Sequence, residues 1–452
     1  MEVFLIRALQ LILCFSILIL LHEGGHFLAA KIFKIRVEKF CLFFDPWFRL
    51  FKFKPKNSDT EYALGWLPLG GYVKIAGMID ESMDMEQMKQ PVQDWEFRAK
   101  PAWQRLIVML AGVFVNFILA LFIYAMILFA WGDSYMPIRN MSNGFFYNEE
   151  AVQLGFKQGD IPLRTETSTF DRYDDNVFRD ISEAHQVTVL RQGQEVTFSL
   201  PGKIDMLEMI SKQPPFMAPL AVNVIDSVVA GTPAAAAHIK AGDKITAVNG
   251  KAISTWNEYQ TQLAVIKDQI EVNPADSMKL RSLQLAVTHP TGQTDTLNVA
   301  LGSDLMLGVT WNPYKGYEVK NVSYSFLASI PAGIAKGWNK MAGYVDDLKY
   351  LFTKKGAQSV GSFGAIGALF PTTWNWERFW ELTAFISLML AFMNVLPIPA
   401  LDGGHALFLI CEVVTGRKPS DKFMARAETV GITLLLLLMA YAIFNDVMRF
   451  VF

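Results

Sequence analysis

Hydrophobic positions in this chain gather into four long runs, at residues 1–35, 102–131, 378–412 and 428–448. As helices rising about 1.5 Å per residue, all four are long enough to cross a hydrocarbon core of about 30 Å. Three of them contain polar residues where these are costly. The first holds His22, Glu23 and His26, the second Asn116, and the third the broken stretch Asn394-Val-Leu-Pro-Ile-Pro-Ala-Leu-Asp-Gly-Gly404. Ionisable groups at membrane depth are candidates for function by default. Asn116 is read as a hydrogen-bonding link to a neighbouring helix ahead of a direct catalytic role.

Between the runs the pattern changes. Residues 36–101 form a loop that contains a β-rich stretch, Glu61 to Gly77, punctuated by Pro68, Gly70 and Gly71. This predicts a β-hairpin at about 61–77, either on the surface or re-entrant, where it must line a protein cavity because bare strand edges cannot face lipid. Residues 80–96 are acidic and read as a solvated loop. From 135 to 320 long apolar runs are absent and a pattern repeats: Ala151 to Asp160 is echoed by Ala235 to Asp243, each followed by strand-forming residues. The repeat predicts two tandem modules, at 135–205 and 215–315, and resembles PDZ domains. Residues 322–353 carry apolar residues at helical spacing with lysines and aspartates between, which predicts an amphipathic helix on a membrane surface or against the protein. Residues 354–377 connect it to the third run.

Charge orients the spans. From Lys31 to Lys56 there are eight lysines and arginines against two acids, and Arg417, Lys418, Lys422 and Arg426 face Asp421 alone. The positive-inside rule puts both segments in the cytoplasm, with both termini and the repeated modules outside. The net charge of -2 gives no footprint for nucleic acid. Cys14, Cys41 and Cys411 are far apart and show no disulfide or zinc framework. The long first run, with lysines and no small-residue cleavage site after it, reads as a retained span.

The candidate chemistry starts at His22-Glu23-xx-His26. On a helix, positions i and i+4 share a face, so both imidazoles can reach one ion. Glu23 beside them suits a general base acting on a water activated by zinc. Two ligands leave such a site one short. Asp402 lies at matching depth, late in a span of the same direction, where Pro397, Pro399, Gly403 and Gly404 loosen the helix. It is the preferred third ligand; His405 is the rival, as ligand, supporting partner or packed residue. Asn394 suits a hydrogen bond to an extended substrate backbone or a bridge between helices. His185, His238 and His289 lack ligand spacing and read as structural.

HEGGH in the first run, LPLGGYV in the loop, AGVFVNF in the second run, the PDZ-like repeats and NVLPIPALDGG in the third run together resemble the bacterial site-2 proteases over nearly the full length. The resemblance implies an α-helical polytopic membrane protein of four transmembrane helices, with a re-entrant β-hairpin and two tandem extracytoplasmic PDZ-like α+β domains. It implies a zinc metalloendopeptidase of the bacterial inner membrane with ligands His22, His26 and Asp402 and with Glu23 as base. It implies that the hairpin, through Leu69, Gly70, Gly71, Tyr72 and Val73, receives substrate by strand addition. Substrates implied are single-pass membrane proteins already cut outside the membrane, such as anti-sigma factors and signal-peptide remnants, with the outer modules excluding uncut substrates by size or binding a new C-terminus. Val113, where the family often has proline, and the Gly361 to Gly367 stretch are the departures. Two other classes are weaker: an inactive scaffold predicts a damaged metal set, and a metal transporter predicts repeats among the spans, which are absent.

Overall fold

A computed structural model of the chain describes residues 2–68, 70–78, 90–312 and 314–450. Asp80, Glu81, Asp84 and Glu86 of the acidic segment lie outside those residues. The chain folds as two compact units, one of residues 1–133 with 323–452, the other of 134–322.

The first unit holds helices α1 (Glu2–Ile32), α2 (Ala102–Ala130), α3 (Phe326–Asp347), α4 (Trp376–Val395), α5 (Asp402–Thr415) and α6 (Asp421–Phe450). Four helices, α1, α2, α4 and α6, are long and apolar enough to cross a membrane, as befits a multi-pass membrane protein. The hub is α2, which packs against α1, α3, α4 and α5. The amphipathic segment forms α3, which packs against α2 by its small residues. Ser329, Gly333 and Gly337 are buried, whereas Leu327 and Trp338 are exposed. Small residues at i, i+4 and i+8 let two helix backbones approach closely, which large side chains would prevent.

Four strands follow α1 in this unit: β1 (Val37–Leu42), β2 (Phe44–Phe53), β3 (Glu61–Leu67) and β4 (Tyr72–Ile75). Their order is β2-β3-β1-β4. The expected hairpin at 61–77 is therefore corrected: β3 and β4 do not pair with each other. β3 runs parallel to β1, β4 runs antiparallel to it, and β1 lies between them. Val37 and Cys41 of β1 are fully buried, and a central strand must pair on both edges to satisfy its backbone groups. The chain from β3 to β4 passes over the end of β1. There a Cβ on Gly71 would fall 2.8 Å from the Cys41 carbonyl oxygen, so the crossing needs glycine. One edge of β4 pairs with β1; no strand among the described residues pairs with the other.

The second unit has two hydrophobic cores. Phe145, Tyr147, Phe156, Val187, Val189 and Phe216 centre the first; Ile245, Trp256, Tyr259, Leu285 and Val287 centre the second. The first is built on strands Ile161–Thr165, Gln186–Arg191 and Gln194–Ser199, with Pro162 accommodated because its strand is at the sheet edge. The second is built on Lys251–Ala252, Lys244–Val248, Ser282–Thr288 and Thr294–Ala300 in that order. The repeat is visible at one residue of each. Asp160 and Asp243 are both 1% exposed, and each accepts from the backbone N–H three residues earlier, of Lys157 and Lys240, at 2.8 Å. Arg191 completes the first pairing at 2.7 and 2.9 Å, and His289 the second at 2.7 Å.

Candidate metal centre

The helical period sets His22 and His26 one above the other on α1, their Nε2 atoms 3.3 Å apart and their rings at 82°. Asp402 is brought to them by the break between α4 and α5. Pro397 and Pro399 cannot continue α4, and Ala400 turns the chain at φ +77°, a region sterically disfavoured for any residue with a Cβ. The helix restarts as α5 with Asp402 in its first turn, where the positive end of the helix dipole favours a carboxylate. Its Oδ2 stands 3.2 Å from His22 Nε2 and 3.4 Å from His26 Nε2.

The faces of the two imidazoles away from Asp402 meet α2. His26 Nδ1 lies 2.8 Å from the Val108 carbonyl oxygen, and His22 Nδ1 lies 3.3 Å from Asn116 Nδ2. Val108, Gly112 and Asn116 share one face of α2 at spacings of four. A Cβ on Gly112 would sit 2.7 Å from His26 Cδ2 and 2.9 Å from His22 Cε1. Glycine there is what lets α2 lie against the two rings.

These groups open on a cavity of about 890 Å³. Glu23 lines it, as do Asn394 and His405, and the edge strand contributes Gly70, Gly71, Tyr72 and Val73. Leu69 lies outside the described residues. Asn394, in the last turn of α4, places Nδ2 3.4 Å from His22 Nε2. His405 is not part of the three-residue donor cluster; its Nε2 lies 3.8 Å from Glu428 Oε1 on α6.

The sequence profile of peptidase family M50 matches residues 10–438. The chain belongs to peptidase family M50. Among curated M50-like relatives, the regulator of sigma E protease of Haemophilus influenzae is 27% identical, over 97% of this chain and 98% of that protein. The regulator of sigma-E protease RseP of Escherichia coli is 26% identical, over 97% of each chain. A Neisseria meningitidis protein named as a candidate zinc metalloprotease is 26% identical, over 98% of each. As an M50 member, of site-2 type, this chain is a zinc metalloprotease.

The donor set suits the metal of M50 enzymes. A tetrahedral ion bonded at about 2.0–2.1 Å spaces its donors about 3.3–3.4 Å apart. The three pairs here stand at 3.2, 3.3 and 3.4 Å. Asp402 Oδ2 is buried without a hydrogen-bond partner, an acceptor aimed at the point the imidazoles face. Two nitrogens and one oxygen leave a fourth position open, as in catalytic zinc sites.

Several residues at this M50 site escaped the sequence reading. Val108 acts through its backbone oxygen, which leaves no side-chain signal, and Gly112 was one glycine in an apolar helix. Glu428, 4% exposed on the cavity wall, was detectable as an isolated acid at the start of the fourth run. Lys39 on β1 also lines the cavity, and its ammonium donates to Asp45 at 2.6 Å. Burial alone would raise the Asp45 carboxyl, but hydrogen bonds from Lys39 and Tyr72 outweigh it and hold the group below the ordinary carboxylate range. Burial and that same carboxylate push the Tyr72 hydroxyl up.

Proposed function

We propose that this M50 protease hydrolyses peptide bonds in or near the transmembrane segment of single-pass membrane proteins, with zinc held by His22, His26 and Asp402. The observation that carries this reading is the spacing of the three donor atoms, at 3.2 to 3.4 Å, in a cavity that also holds Glu23 and Tyr72 and Val73 of the edge strand β4. When bound, zinc would polarise the scissile carbonyl and lower the pKa of water enough for it to be deprotonated near neutral pH. Glu23 is the general base: its carboxylate takes the proton from the attacking water and hands it to the leaving amide nitrogen. Asn394, in the same cavity, donates from Nδ2 to a substrate backbone carbonyl. The outer edge of β4, which pairs with no strand among the described residues, receives the substrate as an added strand, with Gly70, Gly71, Tyr72 and Val73 against it, and main-chain hydrogen bonds hold an unwound segment whatever its side chains. Leu69 belongs to this substrate segment on sequence grounds.

The substrate class follows from the setting. A chain entering a membrane-embedded cavity must be thin, so a bulky external domain has to be removed beforehand. Anti-sigma factors and signal-peptide remnants left by a first cut have that form. The two modules of residues 134–322 are PDZ-like and extracytoplasmic, like both termini, and exclude uncut substrates by size or hold a newly exposed C-terminus. The sheet β1–β4 is re-entrant from the cytoplasmic side of the inner membrane. Glu23→Gln tests the chemistry. The full-length variant is expected to keep its zinc and to lose cleavage of a single-span reporter; normal cleavage would exclude Glu23 as the base.

A further inference from the structure

Asn116 lies in the middle of α2 and is 1% exposed. Its backbone carbonyl oxygen accepts from Ser387 Oγ at 2.7 Å, so the tie between α2 and α4 does not use its side chain. That side chain points elsewhere. Nδ2 lies 3.3 Å from His22 Nδ1, and Oδ1 is buried with no hydrogen-bond partner. A buried amide oxygen without a donor is a feature native interiors avoid. A 180° turn of the amide exchanges the two atoms without changing the shape of the group.

The two orientations have different consequences for His22. Its Nε2 belongs to the donor trio, 3.2 Å from Asp402 Oδ2 and 3.3 Å from His26 Nε2. For Nε2 to offer a lone pair to a metal, the ring proton must sit on Nδ1, and a buried Nδ1–H needs an acceptor. With Oδ1 turned toward His22, both needs are met by one hydrogen bond. With Nδ2 there instead, Nδ1 accepts, the proton moves to Nε2, and that N–H points at Asp402 and closes the set against a cation. His26 shows the matching arrangement: its Nδ1 is 2.8 Å from the Val108 carbonyl oxygen, two helical turns earlier on the same face of α2. A backbone carbonyl can only accept, so His26 is held in its metal-binding tautomer. His22 has a side-chain amide in the equivalent place, which can accept or donate.

We propose that Asn116 is a positioning residue for the metal site. Its Oδ1 accepts from His22 Nδ1–H and thereby selects the tautomer that binds zinc, while the reversed amide selects the one that does not. The inference rests on His22 being a zinc ligand. The test uses the full-length protein in nanodiscs, with zinc affinity measured by chelator competition. Asn116→Leu keeps the size and removes the acceptor; Asn116→Asp supplies an acceptor that cannot reverse. Asn116→Leu is expected to weaken zinc binding about 10- to 100-fold with an unchanged melting temperature. Asn116→Asp is expected to hold zinc at least as tightly as the parent. Wild-type zinc affinity in Asn116→Leu would overturn the proposal. So would equal weakening in both variants, which would mark a packing role. His22→Ala separates the two levels. If it keeps zinc, the ligand assignment itself fails; if it loses zinc while Asn116→Leu does not, only the role of Asn116 fails.

Discussion

Gly112→Ala is a one-methyl perturbation with a large expected effect. The added Cβ would lie 2.7 Å from His26 Cδ2 and 2.9 Å from His22 Cε1, and closer still to His26 Nε2, where ordinary contacts begin near 3.4 Å. Both obstacles are side chains of the donor set, and α2 is pinned behind them by α3, α4 and α5. The rings must therefore retreat by roughly 0.7 Å or more, against a tolerance of about 0.2 Å in metal–donor distances. A misplacement near 1 Å at a reacting centre costs on the order of 100-fold in rate. Alanine is the better helix former by about 1 kcal/mol, so the helix itself does not suffer. The variant is expected to fold with unchanged helix content, to bind zinc more weakly, and to cleave a single-span reporter about 100-fold more slowly. The measurements are chelator competition for zinc and reporter cleavage in proteoliposomes. Parental zinc affinity together with parental cleavage would show that α2 does not back the two imidazoles as described.

Three further outcomes complement the Glu23→Gln test. If the outer modules filter by size, lengthening the external part of a reporter slows its cleavage, and an unchanged rate for folded extensions of increasing size removes that role. Arg191→Met leaves the Asp160 carboxylate buried without its cation; unfolding of the 134–322 unit in urea should show a loss of about 3 kcal/mol, and a loss near zero would mean that water replaces the guanidinium. His289 is drawn above its ordinary pKa by hydrogen bonds to Asp243 and then Asp295. Because the folded-state value is the higher one, the stabilisation is complete below the unfolded value of about 6.5 and is lost as pH rises through the folded value. The midpoint difference between the parent and His289→Gln should therefore shrink from pH 6 upward, and a difference independent of pH would contradict the pairing.

Local rules carried much of the fold. The four apolar runs were legible because a bilayer demands about twenty apolar residues in a row, and four of the helices meet that demand. The amphipathic helix was legible in period but not in the face it buries, since small residues at 329, 333 and 337 carry no hydropathy signal. The sheet was misread at 61–77 because adjacent strands with a short, glycine-containing link normally pair, and only the burial of Val37 and Cys41 makes β1 the strand between them.

At the metal centre the division is the same. Sequence alone determined that His22 and His26 face one way, because the helical period acts over four residues. It also marked Asp402 as a carboxylate beside a break in the third run, because Pro397 and Pro399 cannot continue α4, although Gly403 and Gly404 lie inside α5. Tertiary structure alone decided that Oδ2 of Asp402 meets the two imidazoles, 376 residues from His26 in the chain. It also decided that Val108 and Asn116 face their far nitrogens and that a glycine at 112 leaves them room. Those contacts come from packing α1, α2 and α5 together, and packing depends on shape at distances that no local pattern encodes.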